Sequence, residues 1–285
     1  MTPLMIVTDL DGSLLDHYTY SFAAALPVLR QLQARDIPVV LCSSKTRAEM
    51  QSLREQLDLL ECPYIVENGA AVYVPKSRYP NLTFDTELAP ADGAPPEWRK
   101  LFGSDRAYWQ TLLDDLPDRF HGHFRRLSHM SIGQITDITG LSPDDARRAA
   151  LREFGEPIQW RGSDTLKADF IRELEQQGAT VLQGGRFLHV VGSWNKGRAL
   201  SWLAESINGS AAQAPTTISL GDSHNDLAML EAADYAIVIK SPVHDAPQLK
   251  RKQGVIYTQA TGPKGWAEGL SALLDQPGHL EASNG

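Results

Sequence analysis

Two short acidic clusters supply the residue types from which phosphate chemistry is built. Asp9 and Asp11 flank Leu10 just before Gly12, so two carboxylates leave one segment where glycine permits a tight turn. The second cluster is Gly221-Asp-Ser-His-Asn-Asp226. Taken singly, each has a plain structural reading: Asp-Gly forms turns, and Asp226 suits a helix N-terminus. Brought into one crevice, uncompensated carboxylates repel and raise one another's pKa, and a bound divalent cation resolves that conflict. Oxygen donors without paired His or Cys favour Mg2+ over zinc, and His121, His123, His129 and His224 have no zinc-site spacing. Beside such an ion a carboxylate can attack phosphorus and form an aspartyl-phosphate, dividing one hard hydrolysis into two easier steps. The transfer then needs donors that position and neutralise the moving group. Ser43 and Lys196 are candidates, although alone a serine starts a turn and a lysine is a solvated charge.

The elements that must hold these residues are legible as alternating periods. Pro3–Asp9 and Ile37–Ser43 are short apolar runs without helical period, which predicts buried strands; Thr217–Leu220 and Tyr235–Ile239 also read as strands, and Tyr64 starts another that turns by Gly69. Helical spacing is expected over Phe22–Arg35, Thr46–Leu57, Gly197–Ile207, Asp226–Ala233 and Gly265–Leu274. Strand–helix alternation predicts a parallel α/β sheet, whose ligands bind beyond the carboxyl ends of the strands. Asp9, Ser43 and Asp222 are the residues that end three of them. Between Leu82 and Phe187 the rhythm changes to a Pro-rich loop, 89–96, and helical stretches around Asp105–Asp114, Ser142–Phe154 and Ser163–Gln177. The expected organisation is a discontinuous core, 1–82 and 188–285, with an inserted domain over 83–187 and a mobile polar tail, 276–285.

Composition narrows the partners. The 285 residues carry 35 Asp+Glu against 27 Lys+Arg, a net charge of −8, which disfavours nucleic acid and anionic membranes. No apolar run approaches the roughly 18 residues of a spanning helix, and the first Lys or Arg is Arg30, so no signal-peptide n-region is expected and the cytoplasm is the expected compartment. Cys42 and Cys62 are too few for a disulfide framework and read as reduced structural thiols.

The ordered set Asp9-Leu-Asp-Gly-Ser13, Ser43, Lys196 and Gly221–Asp226 resembles the four motifs of the haloacid-dehalogenase phosphatases, in their Cof-like capped branch. That resemblance implies a Rossmann-like parallel-sheet core with an inserted α+β cap of the C2 type. It makes Asp9 the nucleophile and Asp11 the acid that protonates the leaving oxygen and then activates water. It assigns phosphate binding to Ser43, Lys196 and Asn225, a supporting place to Asp226, and Mg2+ to Asp9, the backbone carbonyl of Asp11, and Asp222.

Further segments, among them Leu41–Arg47, Glu67–Ala70, Thr139–Leu141, Arg152–Pro157, Gly184–Phe187 and Gly262–Trp266, resemble the mannosyl-3-phosphoglycerate phosphatase family along nearly the whole chain. The substrate so implied is a small phosphorylated sugar or glycosyl-phosphoglycerate, the product mannosylglycerate, a compatible solute. Its carboxylate suits planar guanidinium groups, for which Arg152, Arg186 and Arg125 are candidates, while Glu153 and Glu156 suit sugar hydroxyls. Other readings are weaker. Ile132–Phe154 has the outline of a helix–turn–helix, but Asp144 and Asp145 stand where a recognition helix meets phosphates. A phosphate-sensing receiver needs a long-lived phosphoryl group, whereas Asp11 puts a hydrolytic base two residues from Asp9. A phosphomutase, or a phosphatase for another sugar phosphate or for glucosyl-3-phosphoglycerate, shares the same motifs.

Overall fold

The apolar runs pair side by side in the computed structural model, which describes residues 3–80, 82, 86–88, 96–183, 186–207 and 214–275. In chain order the elements begin with β1 (Leu4–Thr8), α1 (Leu26–Ala34), β2 (Val39–Cys42), α2 (Arg47–Leu57), β3 (Tyr64–Val66) and β4 (Ala71–Pro75). There follow β5 (Thr86–Leu88), β6 (Glu97–Leu101), α3 (Arg106–Asp114), β7 (Phe124–Arg126), α4 (Ile132–Thr139), α5 (Pro143–Ala150) and β8 (Glu156–Trp160). The remainder are α6 (Asp164–Gln176), β9 (Thr180–Gln183), β10 (Leu188–Val191), α7 (Lys196–Ile207), β11 (Thr216–Gly221), α8 (Leu227–Ala232), β12 (Tyr235–Lys240), β13 (Val255–Thr261) and α9 (Gly262–Leu274). The loop 89–95, Gly184, Gly185 and the tail 276–285, all singled out in the sequence, lie outside the described residues.

The chain forms two compact units, 1–44 with 57–100 and 195–285, and 45–56 with 101–194. The first is built on a nine-stranded sheet in the order β13-β12-β11-β1-β2-β3-β4-β6-β5. Pairing from β13 through β3 is parallel, and β4 runs antiparallel to β3. Met5, Ile6 and Val7 of β1 and Val39–Cys42 of β2 are buried throughout, which is why these strands read as unbroken apolar runs. Helix α1 starts at Leu26, later than Phe22, with Pro27 in its first turn, where a missing N–H costs nothing. Strand β1 lies between β2 and β11, so the chain order reverses there and leaves a crevice beyond the carboxyl ends. Thr8 is in register with Leu41 and Leu220. Asp9, Ser43 and Asp222 therefore emerge along one edge.

The second unit holds a four-stranded antiparallel sheet, β7-β8-β10-β9. Phe170 of α6 packs its ring against Trp160, Phe124 and Phe120. Helix α4 opens with a capping box, Ser131 with Gln134, and ends at Gly140 with φ 76°. It packs on α5 around Leu127, Met130, Ile135 and Ala146, so the helix–turn–helix outline is a real helical hairpin. Its Asp144 and Asp145 pair with Arg147 and Arg148 of the same helix. Helix α5 stops at Ala150 instead of Phe154, because Glu156 and Pro157 already pair with Val190 and His189 in the sheet. Among the described residues, β6 is a strand of the large sheet and β10 of the small one. No described helix is long and apolar enough to cross a membrane.

Candidate active site

Asp9 continues the ladder of β1, its N–H donating to Leu220 O at 2.9 Å. The Thr8 hydroxyl donates to Asp9 O at 2.7 Å and receives Trp266 Nε1–H at 3.0 Å, so a buried indole of α9 fixes the backbone under the Asp9 carboxyl. Beyond it Gly12 turns with φ 83°, and a Cβ there would overlap the Asp222 carboxylate. The two acidic clusters thus approach so closely that only glycine fits between them. Lys196 begins α7. The chain before it passes Gly69, where a Cβ would overlap Asn195 O.

Lys196 is wholly buried, with Nζ 2.5 Å from Asp9 Oδ1 and 2.6 Å from Asp226 Oδ1. Asp226 Oδ2 accepts from the N–H groups of Asp222 and Ser223 at 3.2 and 3.1 Å, and from the Ser223 hydroxyl at 3.1 Å. One oxygen each from Asp9, Asp222 and Asp226 lie within 4.8 Å of one another. Burial, then the Asp226 charge, pushes the Asp9 carboxyl well above the usual range, with Lys196 opposing. Burial, then Asp226, also raises Asp222 to about 6. Burial works against the Lys196 ammonium, but Asp226 and Asp9 outweigh it and raise its pKa.

This donor set fits a hard divalent cation. Three buried carboxylates face one ammonium, and Asp222 Oδ1 is buried with no hydrogen-bond partner, a costly state that a metal bond relieves. Both Asp226 oxygens are taken by Lys196 and the Ser223 turn, which leaves Asp9 and Asp222 as the carboxylates for an ion. Among the described residues this is the only group of three or more His, Cys, Asp or Glu side chains placed to hold one.

Of the other residues expected in the core site, Asp11 is half-buried on the turn next to Asp9. Ser43 is buried, its N–H on Ile65 O and its carbonyl accepting from Asn68 N. Asn225 is exposed beside the Ser223 hydroxyl, with which it pairs. His244, 3.7 Å from Asp222 through Nε2, escaped the sequence reading. The rule that found Asp9, Ser43 and Asp222 points to it, since it follows the carboxyl end of β12.

In the second unit, Arg152 and Glu153 are half-buried. Burial, then the Arg152 charge, lowers His189 to about 3. Arg186 is exposed and donates to Thr139 O, and Arg125 donates to the Gln134 side chain. Glu156 departs from its expected place at sugar hydroxyls: it is fully buried and accepts from Arg106 Nε at 2.6 Å, Gln110 Nε2 at 3.1 Å and Ser128 N at 3.0 Å. A buried carboxylate needs such partners, and they leave it a structural role.

Comparison with solved structures returns the same architecture. A haloacid dehalogenase-like hydrolase from Bacteroides thetaiotaomicron is 18% identical, with a TM-score of 0.66 over 95% of this chain and 99% of that one. The sucrose-phosphatase of Synechocystis sp. PCC6803, solved with sucrose and phosphate, is 14% identical with a TM-score of 0.58 over 95% and 98%. A second B. thetaiotaomicron protein, analysed among the phosphatases of the haloalkanoate superfamily, is 15% identical with a TM-score of 0.62 over 98% and 96%. A family model for haloacid dehalogenase-like hydrolases matches residues 6–91 and 161–248, segments that contain Asp9, Asp11, Ser43, Lys196, Asp222, Asn225 and Asp226. The chain belongs to the haloacid dehalogenase-like hydrolase family.

Proposed function

We propose that the chain is a Mg2+-dependent phosphomonoesterase working through an aspartyl-phosphate on Asp9. The observation that carries this reading is the buried Lys196 ammonium shared by Asp9 and Asp226 beside an Asp222 oxygen that no donor satisfies. Lys196 opposes the burial that raises the Asp9 pKa and so favours the ionised carboxylate whose oxygen attacks phosphorus. When bound, Mg2+ supplies positive charge against the phosphoryl oxygens. As the Asp9 oxygen bonds to phosphorus, the ester oxygen leaves and takes the proton of Asp11. In the second half, Asp11 as carboxylate takes a proton from water. The water oxygen bonds to phosphorus, the bond to Asp9 breaks, and inorganic phosphate departs. Ser43 and Asn225 are assigned to the phosphate oxygens, and Asp226 to holding Lys196 and the Ser223 turn.

For the substrate we propose a glycosyl-3-phosphoglycerate, mannosyl-3-phosphoglycerate first, giving mannosylglycerate. The motifs in the inserted segment support this choice, with Arg152 and Arg186 as carboxylate-binding guanidinium groups and Glu153 for sugar hydroxyls. A fold shared with a sucrose-phosphatase favours the broader class of phosphorylated sugars as the second reading. The buried thiols of Cys42 and Cys62, neither in a disulfide, suit a cytoplasmic setting. Phosphate release from a panel of glycosyl-3-phosphoglycerates and simple sugar phosphates, with Mg2+ and with chelator, tests both levels. Turnover that is lost in chelator and highest on mannosyl-3-phosphoglycerate is expected. Mg2+-independent turnover sinks the mechanism, and preference for a simple sugar phosphate sinks the substrate.

A further inference from the structure

The loop that leaves β12 brings two side chains, Ser241 and His244, to the Asp222 side of the site, and the reaction above gives neither a part. His244 Nε2 lies 3.3 Å from Ser241 Oγ and 3.7 Å from Asp222 Oδ2, and Val243 N–H donates to Ser241 Oγ at 3.5 Å. With Val243 N–H on its oxygen, Ser241 is fixed against the His244 ring, and the ring nitrogen stands at Asp222 Oδ2. Asp222 Oδ1 has no hydrogen-bond partner. The carboxylate is therefore met from one side, by His244 at Oδ2 with Ser241 behind it, while the other oxygen stays open.

We propose that Ser241 and His244 are positioning residues that fix the Asp222 carboxylate with Oδ1 toward the cation. The proposal rests on the reading of Asp222 as a Mg2+ ligand. Groups one bond beyond a metal ligand orient it, and their loss typically weakens metal affinity by roughly 10–100-fold. Ser241 is half-buried and His244 is exposed, so neither substitution removes core packing.

The test is calorimetric titration of the whole chain with Mg2+ alone, comparing wild type with Ser241→Ala, Ser241→Thr, His244→Ala and Asp222→Asn. The two alanine variants are expected to bind Mg2+ about tenfold more weakly or worse, with unchanged melting temperature in chelator. Ser241→Thr keeps the hydroxyl and should retain wild-type affinity, and Asp222→Asn should bind no Mg2+. Wild-type affinity in both alanine variants, or alanine-like affinity in Ser241→Thr, overturns the proposal while the metal reading stands. A wild-type chain that takes up no Mg2+ overturns the metal reading itself, and this proposal with it.

Discussion

Lys196 Nζ and Asp9 Oδ1 are 2.5 Å apart across 187 residues of sequence, and neither side chain is more than 7% exposed. An ion pair this deep is costly to break from one side, because the partner left behind keeps its burial and loses its counter-charge. Lys196→Met leaves Asp9 and Asp226 facing each other, and is expected to destabilise the fold by about 3–5 kcal/mol and to abolish phosphate release. Asp9→Asn leaves Lys196 paired with Asp226. That variant should fold with near-native thermal stability and release no phosphate. A well-folded Asp9→Asn enzyme turning over at the wild-type rate removes Asp9 from the chemistry.

Gly12 joins the two acidic clusters sterically. Its φ of 83° and the overlap of any Cβ with the Asp222 carboxylate make Gly12→Ala doubly unfavourable, costing about 1–3 kcal/mol from backbone strain and pushing Asp222 from its place. Thermal melting should show the loss, and Mg2+ should stabilise the variant less than wild type. An unchanged Mg2+ response shows that Asp222 tolerates displacement.

Much of this arrangement was legible in the sequence, for a physical reason. Strands such as β1 and β2 are buried on both faces and so carry unbroken apolar runs, and Asp9 and Ser43 sit at their ends. Strand β6, Glu97-Trp-Arg-Lys-Leu101, and β7, Phe124-Arg-Arg126, have no such run and exist through pairing with distant partners. Burial of a single charge is equally silent in one dimension. Glu156 read as a polar contact for sugar because its partner Arg106 is 50 residues away. Ser241 and His244 were missed because a loop serine and histidine look like solvated surface until β12 is placed beside β11.

The titration of Asp222 makes stability depend on pH and Mg2+ together. Its folded pKa, about 6, lies above the ordinary 3.8, so the folded chain holds this proton more tightly than the unfolded chain. In chelator, the stability contributed by that difference is present at low pH and falls as pH rises from about 3.8 to about 6. Mg2+ requires the ionised carboxylate and offsets the loss. The rise in melting temperature on adding Mg2+ should therefore be larger at pH 7.5 than at pH 5, and Asp222→Asn in chelator at pH 7.5 should melt above wild type. Equal Mg2+ effects at both pH values would contradict this linkage.

In the second unit, two charged residues of neighbouring sequence separate structure from recognition. Glu156 is fully buried and holds Arg106, Gln110 and the Ser128 N–H, so Glu156→Gln takes the counter-charge from the half-buried Arg106, which keeps its bond to Ala150 O, and should cost about 1–3 kcal/mol of stability. Its KM for mannosyl-3-phosphoglycerate should not change. Arg152 is half-buried, and as a carboxylate-binding group it would contribute charged hydrogen bonds worth roughly 1.5–3 kcal/mol. Arg152→Ala should then raise KM for mannosyl-3-phosphoglycerate by about 10–100-fold while leaving KM for a small artificial phosphate ester unchanged, because the ester has no carboxylate to lose. Steady-state kinetics on both substrates decides it. Equal changes on the two place Arg152 outside the recognition of the glycerate, and a KM change in Glu156→Gln matching that of Arg152→Ala assigns both effects to distortion of the small sheet.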